Sequence, residues 1–177
     1  MLNESRIRAT TTRPDRVRGQ ARQGGTRHAW PLPADARSVR EARAVVRHEL
    51  SGLGLAPDVV DDAVLMASEL VTNALLYGEP PYELALHLGA EEIMCVVVDA
   101  SPLPPSPLTH GPAHDPAAEH AAEHGRGLRI VAALSDGFHG FHPQRYVTRP
   151  DLVGKATWFA LPREERRAEV VPFRRRS

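Results

Sequence analysis

The chain contains 177 residues, 42% of them hydrophobic, which is enough for one globular domain with a sizeable core. Its formal net charge is zero and its longest apolar runs are too short to cross a bilayer, so we expect a cytoplasmic protein with no membrane partner. A single cysteine, Cys95, excludes an intramolecular disulfide and a cysteine-based zinc site, and its apolar neighbours predict a core residue.

The basic residues are unevenly distributed. Arginines are concentrated in residues 1–28 and again in 163–177, and neither segment shows apolar periodicity. Because aromatic residues do not alternate with these arginines, we interpret both segments as solvated arms and expect no direct contact with nucleic acid. The only lysine, Lys155, follows no glycine-rich Walker sequence, which excludes a P-loop enzyme.

The ordered domain is predicted to cover residues 29–162 and to begin with two helices. A Ser-x-x-Glu capping box at Ser38 predicts the start of the first helix, which runs to about Leu50. Pro57 suits the first turn of the second helix, in which apolar residues recur at helical spacing until Gly78 ends it. This second helix has the clearest period in the chain.

Strands dominate the second half of the predicted domain. Apolar and alternating runs predict strands over residues 82–88 and 92–99, joined as a hairpin. Residues 101–124 are rich in Pro, His and Ala and predict a long loop, followed by a helix up to Leu134 and strands over 138–142 and 153–161. This order predicts an α/β (α+β) two-layer sandwich, a mixed, mostly antiparallel sheet covered on one face by helices.

Three polar side chains form a stripe on the second helix. Glu69, Asn73 and Tyr77 are four residues apart, so each lies about 40° from the last around the helix axis. Glu69 borders the apolar face, a position that suits a general base. Asn73 offers a neutral carbonyl oxygen of the kind that Mg²⁺ accepts. Taken alone, such a stripe is more often a solvent-facing polar surface.

Three further positions are candidates for ligand binding. Asp99 ends an apolar strand, where a carboxylate can accept a hydrogen bond from an exocyclic amine such as that of adenine. Gly125-Arg126-Gly127-Leu128 opens a helix whose backbone N–H groups and positive end could receive phosphate. Thr157 lies in a strand, where its hydroxyl could support Asp99 or a bound water. Each position also has a simpler interpretation. Asp99 could merely end the strand, the two glycines could form a flexible joint, and Thr157 could be present because Thr favours strands.

The order and spacing of these signals agree with one family. The segments that carry the agreement are Ser68-Glu69-Leu70-Val71-Thr72-Asn73-Ala74, Val98-Asp99-Ala100-Ser101, Gly125-Arg126-Gly127-Leu128 and Lys155-Ala156-Thr157-Trp158. Through them the chain resembles the GHKL ATP-binding domains, and especially the bacterial anti-sigma-factor serine/threonine kinases and their stand-alone relatives. The resemblance covers about Trp30 to Leu161, and its first segment is the most specific.

The resemblance implies a Bergerat fold that binds ATP and Mg²⁺. It assigns Glu69 as the general base, Asn73 as the Mg²⁺ ligand and Asp99 as the acid that recognises adenine, with Thr157 beside the adenine and residues 101–124 as the ATP lid. Such kinases phosphorylate a serine of a small antagonist protein and also bind a sigma factor, so both are expected partners, and a homodimer is compatible with the resemblance. The remaining implied nucleotide contacts are Tyr77, Ser101, Gly125, Arg126, Gly127 and Leu128.

The chain departs from the family pattern at three places. Tyr77 stands where the family often has His, and it keeps the capacity to donate a hydrogen bond. The segment 100–103 after Asp99 lacks the two glycines of many members, and with them the close backbone approach that glycine permits. The lid is unusually rich in histidine, but no cysteine supports a metal site there, so we interpret these as loop histidines. They are His110, His114, His120 and His124.

Three functions remain open at this point. The first is an ATP-dependent serine/threonine protein kinase that also sequesters a sigma factor. The second is a non-catalytic ATP-sensing module, in which nucleotide orders the lid and changes the affinity for a partner, and the altered segment after Asp99 favours it. The third is the detached catalytic domain of a histidine kinase, or an ATPase, and it ranks last because no dimerisation helix with a phospho-acceptor histidine is apparent.

Overall fold

The computed structural model describes residues 26–102 and 126–163, which form five strands and three helices. The helices are α1 (Arg37–Gly52), α2 (Pro57–Tyr77) and α3 (Arg126–Leu134). The strands are β1 (Thr26–Leu32), β2 (Tyr82–Leu88), β3 (Glu92–Asp99), β4 (His139–Arg145) and β5 (Val153–Pro162). The strands β2 and β3 and the start of α2 at Pro57 agree with the sequence-based prediction.

The strands form one open sheet in the order β1-β2-β3-β5-β4, and every neighbouring pair is antiparallel. The hairpin of β2 and β3 lies in the middle of the sheet, and β5 returns beside β3 after α3 and β4. This is an α+β fold of a sheet and a helical layer, and it confirms the predicted two-layer architecture.

The main hydrophobic core lies between the helices and one face of the sheet. Because side chains alternate along a strand, β3 and β5 each present every second residue to the helices. Cys95 and Phe159 on the sheet and Leu70 on α2 are buried in this core. Cys95 is therefore the core residue that the sequence predicted, and burial raises the pKa of its thiol to about 12.

A second, smaller cluster lies on the other side of the sheet, which we call the open sheet face. It contains Ala85, Val96, Val98, Tyr146 and Ala156, and no described helical residue belongs to it. The Tyr146 hydroxyl donates a hydrogen bond of 2.7 Å to the Pro81 carbonyl, and burial raises the pKa of Tyr146 to about 12.

One buried carboxylate holds the connection between β4 and β5 against this side of the sheet through hydrogen bonds. Glu83 on β2 is 1% exposed, and it accepts hydrogen bonds of 2.8 Å from the backbone N–H groups of Val147 and Thr148. The Thr148 hydroxyl donates a further bond of 2.6 Å to the same carboxylate. Charge-assisted bonds of this kind compensate the cost of burying the acid.

The strand β1 was not predicted from the sequence. Its residues 26–28 fall within the segment that we expected to be a solvated arm, and they instead pair with β2, Thr26 opposite Leu88. Thr26 and Arg27 are exposed, so this edge strand lacks the apolar alternation that marks a half-buried strand. Main-chain pairing with β2 places its first residues in the sheet, and Trp30 and Leu32 near its end pack into the main core.

The capping box predicted at Ser38 was wrong. Helix α1 begins one residue earlier, at Arg37, and Ser38 is fully buried, with its hydroxyl donating to the Pro33 carbonyl. The first turn is fixed instead by Asp35, whose carboxylate accepts the backbone N–H of Arg37 at 2.8 Å and pairs with the Arg37 guanidinium. This hydrogen-bonded pair lowers the pKa of Asp35 to about 2.

Several predicted features lie outside the described residues. They are most of the N-terminal arm, the lid from residue 103 onward with its four histidines, Gly125, and the C-terminal tail after residue 163. Among the helices that the structure describes, none combines the length and apolar character needed to cross a membrane.

Candidate functional site

The predicted polar stripe lies on the C-terminal half of α2. Glu69 and Asn73 are partly buried, and Tyr77 is the last residue of the helix and 42% exposed. The three side chains follow one another at single-turn intervals along one side of a helix whose other side is buried in the core. The period of the sequence therefore placed them correctly relative to one another.

Asn73 is the member of the stripe with an incomplete environment. Its Nδ2 atom is buried and has no hydrogen-bond partner among residues 26–102 and 126–163. A buried polar group left without a partner costs about 1–3 kcal/mol, and the two ends of an amide are assigned by their surroundings. An amide in this situation is suited to contact a ligand, either through its oxygen or through its nitrogen.

Glu69 lies against the beginning of α3. Gly127 is buried in the first turn of that helix, and a methyl group placed on it would collide with the Glu69 carboxylate oxygen Oε2. Glycine therefore leaves room for the Glu69 carboxylate in its present position, and a larger residue would make that side chain move. The Glu69 carboxylate and the backbone at the start of α3 therefore lie close together.

The other residues of that segment behave differently. Leu128 packs against the main core as a partly buried residue. Arg126 begins α3, but its side chain and the whole of Gly125 lie outside what the structure describes. The backbone of the α3 start is consequently the part of the segment that borders Glu69.

Asp99, the last residue of β3, is a buried acid with two partners. Its Oδ1 accepts a hydrogen bond of 2.9 Å from the backbone N–H of Ser101, which is itself buried. Its Oδ2 lies 3.3 Å from Nζ of Lys155. The charge of Asp99 also reaches Tyr82, where burial first and the carboxylate second raise the pKa of the tyrosine hydroxyl. These contacts fix the carboxylate at the end of the strand.

Two glycines from other elements make room for Asp99. A methyl group placed on Gly78, the residue that ends α2, would lie 2.6 Å from Cγ of Asp99. A methyl group placed on Gly154 of β5 would lie 2.5 Å from the Asp99 carbonyl oxygen. Close packing around this acid therefore depends on Gly78 and Gly154, which lie outside the segment that follows it.

The register of β3 with β5 places Lys155 beside Asp99 and Thr157 on the next row of the sheet. Lys155 lies opposite Asp99 and Thr157 opposite Val97, so the two side chains are on the same, helix-facing side of the sheet. Thr157 was predicted from the sequence to support Asp99 or a bound water, whereas the ion pair between Lys155 and Asp99 was not predicted. Lys155 and Thr157 are two residues apart, so the sequence could place both on the same face of a strand. Only the register of β5 against β3 shows that Lys155 lies opposite Asp99.

The site thus extends along α2 from Glu69 to Gly78. Nine residues of helix correspond to about 13 Å, with Asn73 between the two acids and Asp99 packed against the Gly78 end. Within residues 26–102 and 126–163 no three His, Cys, Asp or Glu side chains are grouped to hold a metal ion. Mg²⁺ does not need such a cluster, because it keeps waters and phosphate oxygens among its ligands.

Comparison with known proteins agrees with this architecture. The family model of the histidine kinase-like ATPase domain matches residues 32–148, a span that contains Glu69, Asn73, Asp99 and Gly127 and ends before β5. A search of curated proteins returned no match. Since the matched span is well over half of the chain, the protein belongs to the histidine kinase-like ATPase domain family, a family of ATP-using domains.

Proposed function

We propose that this protein is an ATP-binding regulator of the anti-sigma-factor type, a serine/threonine protein kinase that phosphorylates a small antagonist protein and sequesters a sigma factor. Its ATP-binding domain corresponds to residues 29–162, extended at the start by β1, with basic segments before and after it. Membership of the family supports the use of ATP. The kinase activity and the two protein partners come from the resemblance of the segments around Glu69, Asp99, Gly127 and Thr157.

The observation that carries the proposal is the arrangement of two acids around an incompletely bonded amide. Glu69 adjoins the glycine at the start of α3, and Asp99 adjoins the glycine at the end of α2. Asn73 lies between them, and its buried Nδ2 has no hydrogen-bond partner among the residues that the structure describes. A nucleoside triphosphate has a base at one end and phosphates at the other. The arrangement provides a hydrogen-bond acceptor for the base and a helix start for the phosphates.

The residues divide the work of binding Mg-ATP as follows. Asp99 accepts a hydrogen bond from the adenine amine, and Thr157, on the next row of the same sheet face, borders the ring. Tyr77, Ser101, Arg126 and Leu128 complete the contacts implied by the resemblance. Asn73 would hold Mg²⁺ through its carbonyl oxygen, and the ion would neutralise part of the phosphate charge. Gly125 and Gly127 let the backbone approach the phosphates.

In the transfer step Glu69 acts as the general base. Its carboxylate accepts the proton of a serine hydroxyl on the antagonist as the serine oxygen attacks the γ-phosphorus. The bond from that phosphorus to the bridging oxygen breaks, ADP leaves with the electron pair, and the products are phosphoserine and ADP.

The test combines labelled ATP, the purified protein and candidate antagonist proteins. We expect phosphoserine on one antagonist, and we expect Glu69→Gln to reduce its formation at least about a hundredfold while ATP affinity stays within a few-fold of wild type. The control is Glu41→Gln, which changes an exposed acid on α1 in the same way. Full activity of Glu69→Gln would refute the role of Glu69, and absence of ATP binding to the wild type would refute the proposal.

A non-catalytic ATP sensor is the second candidate, and the missing glycines after Asp99 favour it. Both candidates require Mg-ATP to bind, so they are separated by transfer alone. Nucleotide that changes the affinity for a sigma factor, with no phosphate transferred to any antagonist, would select the sensor. The assignment of Asn73 as the Mg²⁺ ligand is tested by titrating ATP, with and without Mg²⁺, into the wild type and Asn73→Ala. If ATP affinity depends on Mg²⁺ equally in both proteins, the assignment is contradicted.

A further inference from the structure

Lys155 is the only lysine of the chain, and the structure pairs it with a buried acid. Its side chain is 12% exposed, that of Asp99 is 3% exposed, and Nζ lies 3.3 Å from Oδ2. The two residues are directly opposite each other on β5 and β3, on the helix-facing side of the sheet. A lysine is rarely buried to this extent, so its presence here calls for a physical reason.

The reason lies in the geometry of the carboxylate. Asp99 is oriented from two directions, by the Ser101 N–H on Oδ1 and by the Lys155 ammonium on Oδ2. An ionised carboxylate has about four lone-pair sites on its two oxygens, so two contacts leave acceptor capacity on both. The ammonium is a compact point charge that engages one oxygen, whereas the planar fork of an arginine tends to occupy both.

The neighbouring glycines restrict the carboxylate further. Gly78 packs against Cγ and Oδ1 of the carboxylate and limits its rotation, while Gly154 packs against the main-chain carbonyl oxygen of Asp99 and so fixes the backbone that carries it. An ionised carboxylate only accepts hydrogen bonds, and a purine carbonyl presented to it would place two acceptors face to face. Held in this orientation, Asp99 favours a purine amine over a purine carbonyl at the same ring position.

We propose that Lys155 is a positioning residue for base selection, which holds Asp99 as an oriented acceptor so that the site prefers a 6-amino purine nucleotide to a 6-oxo purine nucleotide. The inference rests on the proposed function, since it assumes that the base is bound at Asp99. It assigns to Lys155 neither a phosphate contact nor a part in transfer.

The test compares ATP with ITP, which carries a carbonyl in place of the adenine amine. We expect the wild type to prefer ATP by at least about tenfold, as sites that bond a substrate N–H discriminate strongly. We expect Lys155→Met to lose about tenfold in ATP affinity while ITP affinity stays within about twofold, so that the preference nearly disappears. The control is Arg149→Met, which neutralises an exposed cation 3.9 Å from Asp151, and it should keep the wild-type preference.

The outcomes separate this inference from the function on which it rests. A wild type that binds neither nucleotide refutes the proposed function. A wild type that prefers ATP, with the same preference in Lys155→Met, refutes the role of Lys155 alone. Equal losses of ATP and ITP affinity in Lys155→Met also refute it, because they would show a merely structural ion pair.

A measurement on the unmodified protein covers the case in which Lys155→Met does not fold. Since the chain has one ε-amine, acetylation at residue 155 can be followed by mass spectrometry without interference from other lysines. We expect saturating ATP to slow this acetylation by at least about fivefold, because a base bound at Asp99 covers the ammonium. An unchanged rate with ATP bound would overturn the inference.

Discussion

Glycine occupies position 78, at the end of α2, because of its neighbour Asp99 and not because of its own backbone angles. Its φ of −97° and ψ of −177° are open to any residue. What excludes a side chain is the space: a methyl group would meet the Ala74 carbonyl at 2.5 Å and Cγ of Asp99 at 2.6 Å. A residue that looks like an ordinary helix stop in the sequence therefore shapes the candidate base site.

We expect Gly78→Ala to lower the free energy of unfolding by about 1–3 kcal/mol, because the added methyl must displace backbone or the buried acid. ATP affinity should fall with it, since Asp99 shifts. Urea unfolding and ATP titration measure the two effects. The matched control is Gly52→Ala, where nothing lies within 4 Å of the new methyl and both quantities should stay close to wild type. If Gly78→Ala bound ATP with wild-type affinity, Gly78 would have no role in shaping the nucleotide site.

The residues of the site differ in how far the sequence could predict them. Glu69, Asn73 and Tyr77 were predicted as a stripe because helical period is a local property. The ion pair between Asp99 and Lys155 depends on the register of β3 against β5, which joins distant parts of the chain. No local pattern encodes that register, so Lys155 was noticed only as the single lysine.

At the scale of elements, the junction between α2 and α3 depends on a second glycine. A methyl group at Gly127 would meet the outer end of the Glu69 side chain, which can rotate away, and not a backbone atom. The strain can therefore be relieved cheaply, in contrast to the situation at Gly78. A methyl group at Gly127 would therefore displace the carboxylate of Glu69, the proposed general base, with little effect on the stability of the fold.

We accordingly expect Gly127→Ala to change the free energy of unfolding by less than about 1 kcal/mol while reducing phosphoryl transfer at least about tenfold. Transfer kinetics at saturating ATP, together with urea unfolding, check this pair of expectations. Arg129→Ala, an exposed change on the same helix, should leave transfer intact. If Gly127→Ala transfers phosphate at the wild-type rate, the contact with Glu69 has no part in the chemistry.

The two elements that the sequence mispredicted share a cause. The first residues of β1 expose polar side chains and are placed by main-chain pairing with β2. The start of α1 is set by Asp35, while Ser38 is buried with its hydroxyl donating to the Pro33 carbonyl. In both cases the deciding partner lies outside the motif itself. Period and capping rules recognise elements that organise their own residues, and they fail where a neighbouring segment supplies the organisation.

At the scale of the whole molecule, the two faces of the sheet differ in how their polar groups are satisfied. The open sheet face carries His87 on β2, opposite Arg27 of β1. Its Nε2 atom is buried and has no hydrogen-bond partner in the described part of the chain. Burial first, and then the positive charge of Arg27 and the neighbouring His142, lower the pKa of His87 from 6.5 to about 4. The folded protein thus holds this imidazole neutral.

The sign of the pH effect follows from that lowered pKa. Between pH 6.5 and about 4 the unfolded chain binds a proton at His87 that the folded protein does not. Protonation therefore favours unfolding, and the contribution of this group to stability declines as the pH falls through that window and is level below it. Allowing for solvent screening of a partly exposed ring, the decline amounts to roughly 1–2 kcal/mol.

Replacement of the ring isolates this contribution from all other titrating groups. We expect His87→Gln to lose less stability than the wild type between pH 7 and pH 4, by roughly 1–2 kcal/mol in the free energy of unfolding measured in urea at each pH. His48→Gln, which removes an exposed histidine from α1, should keep the wild-type slope. Parallel pH profiles for His87→Gln and the wild type would mean that the open sheet face admits the charged imidazole without cost, and that its burial is shallower than the fold indicates.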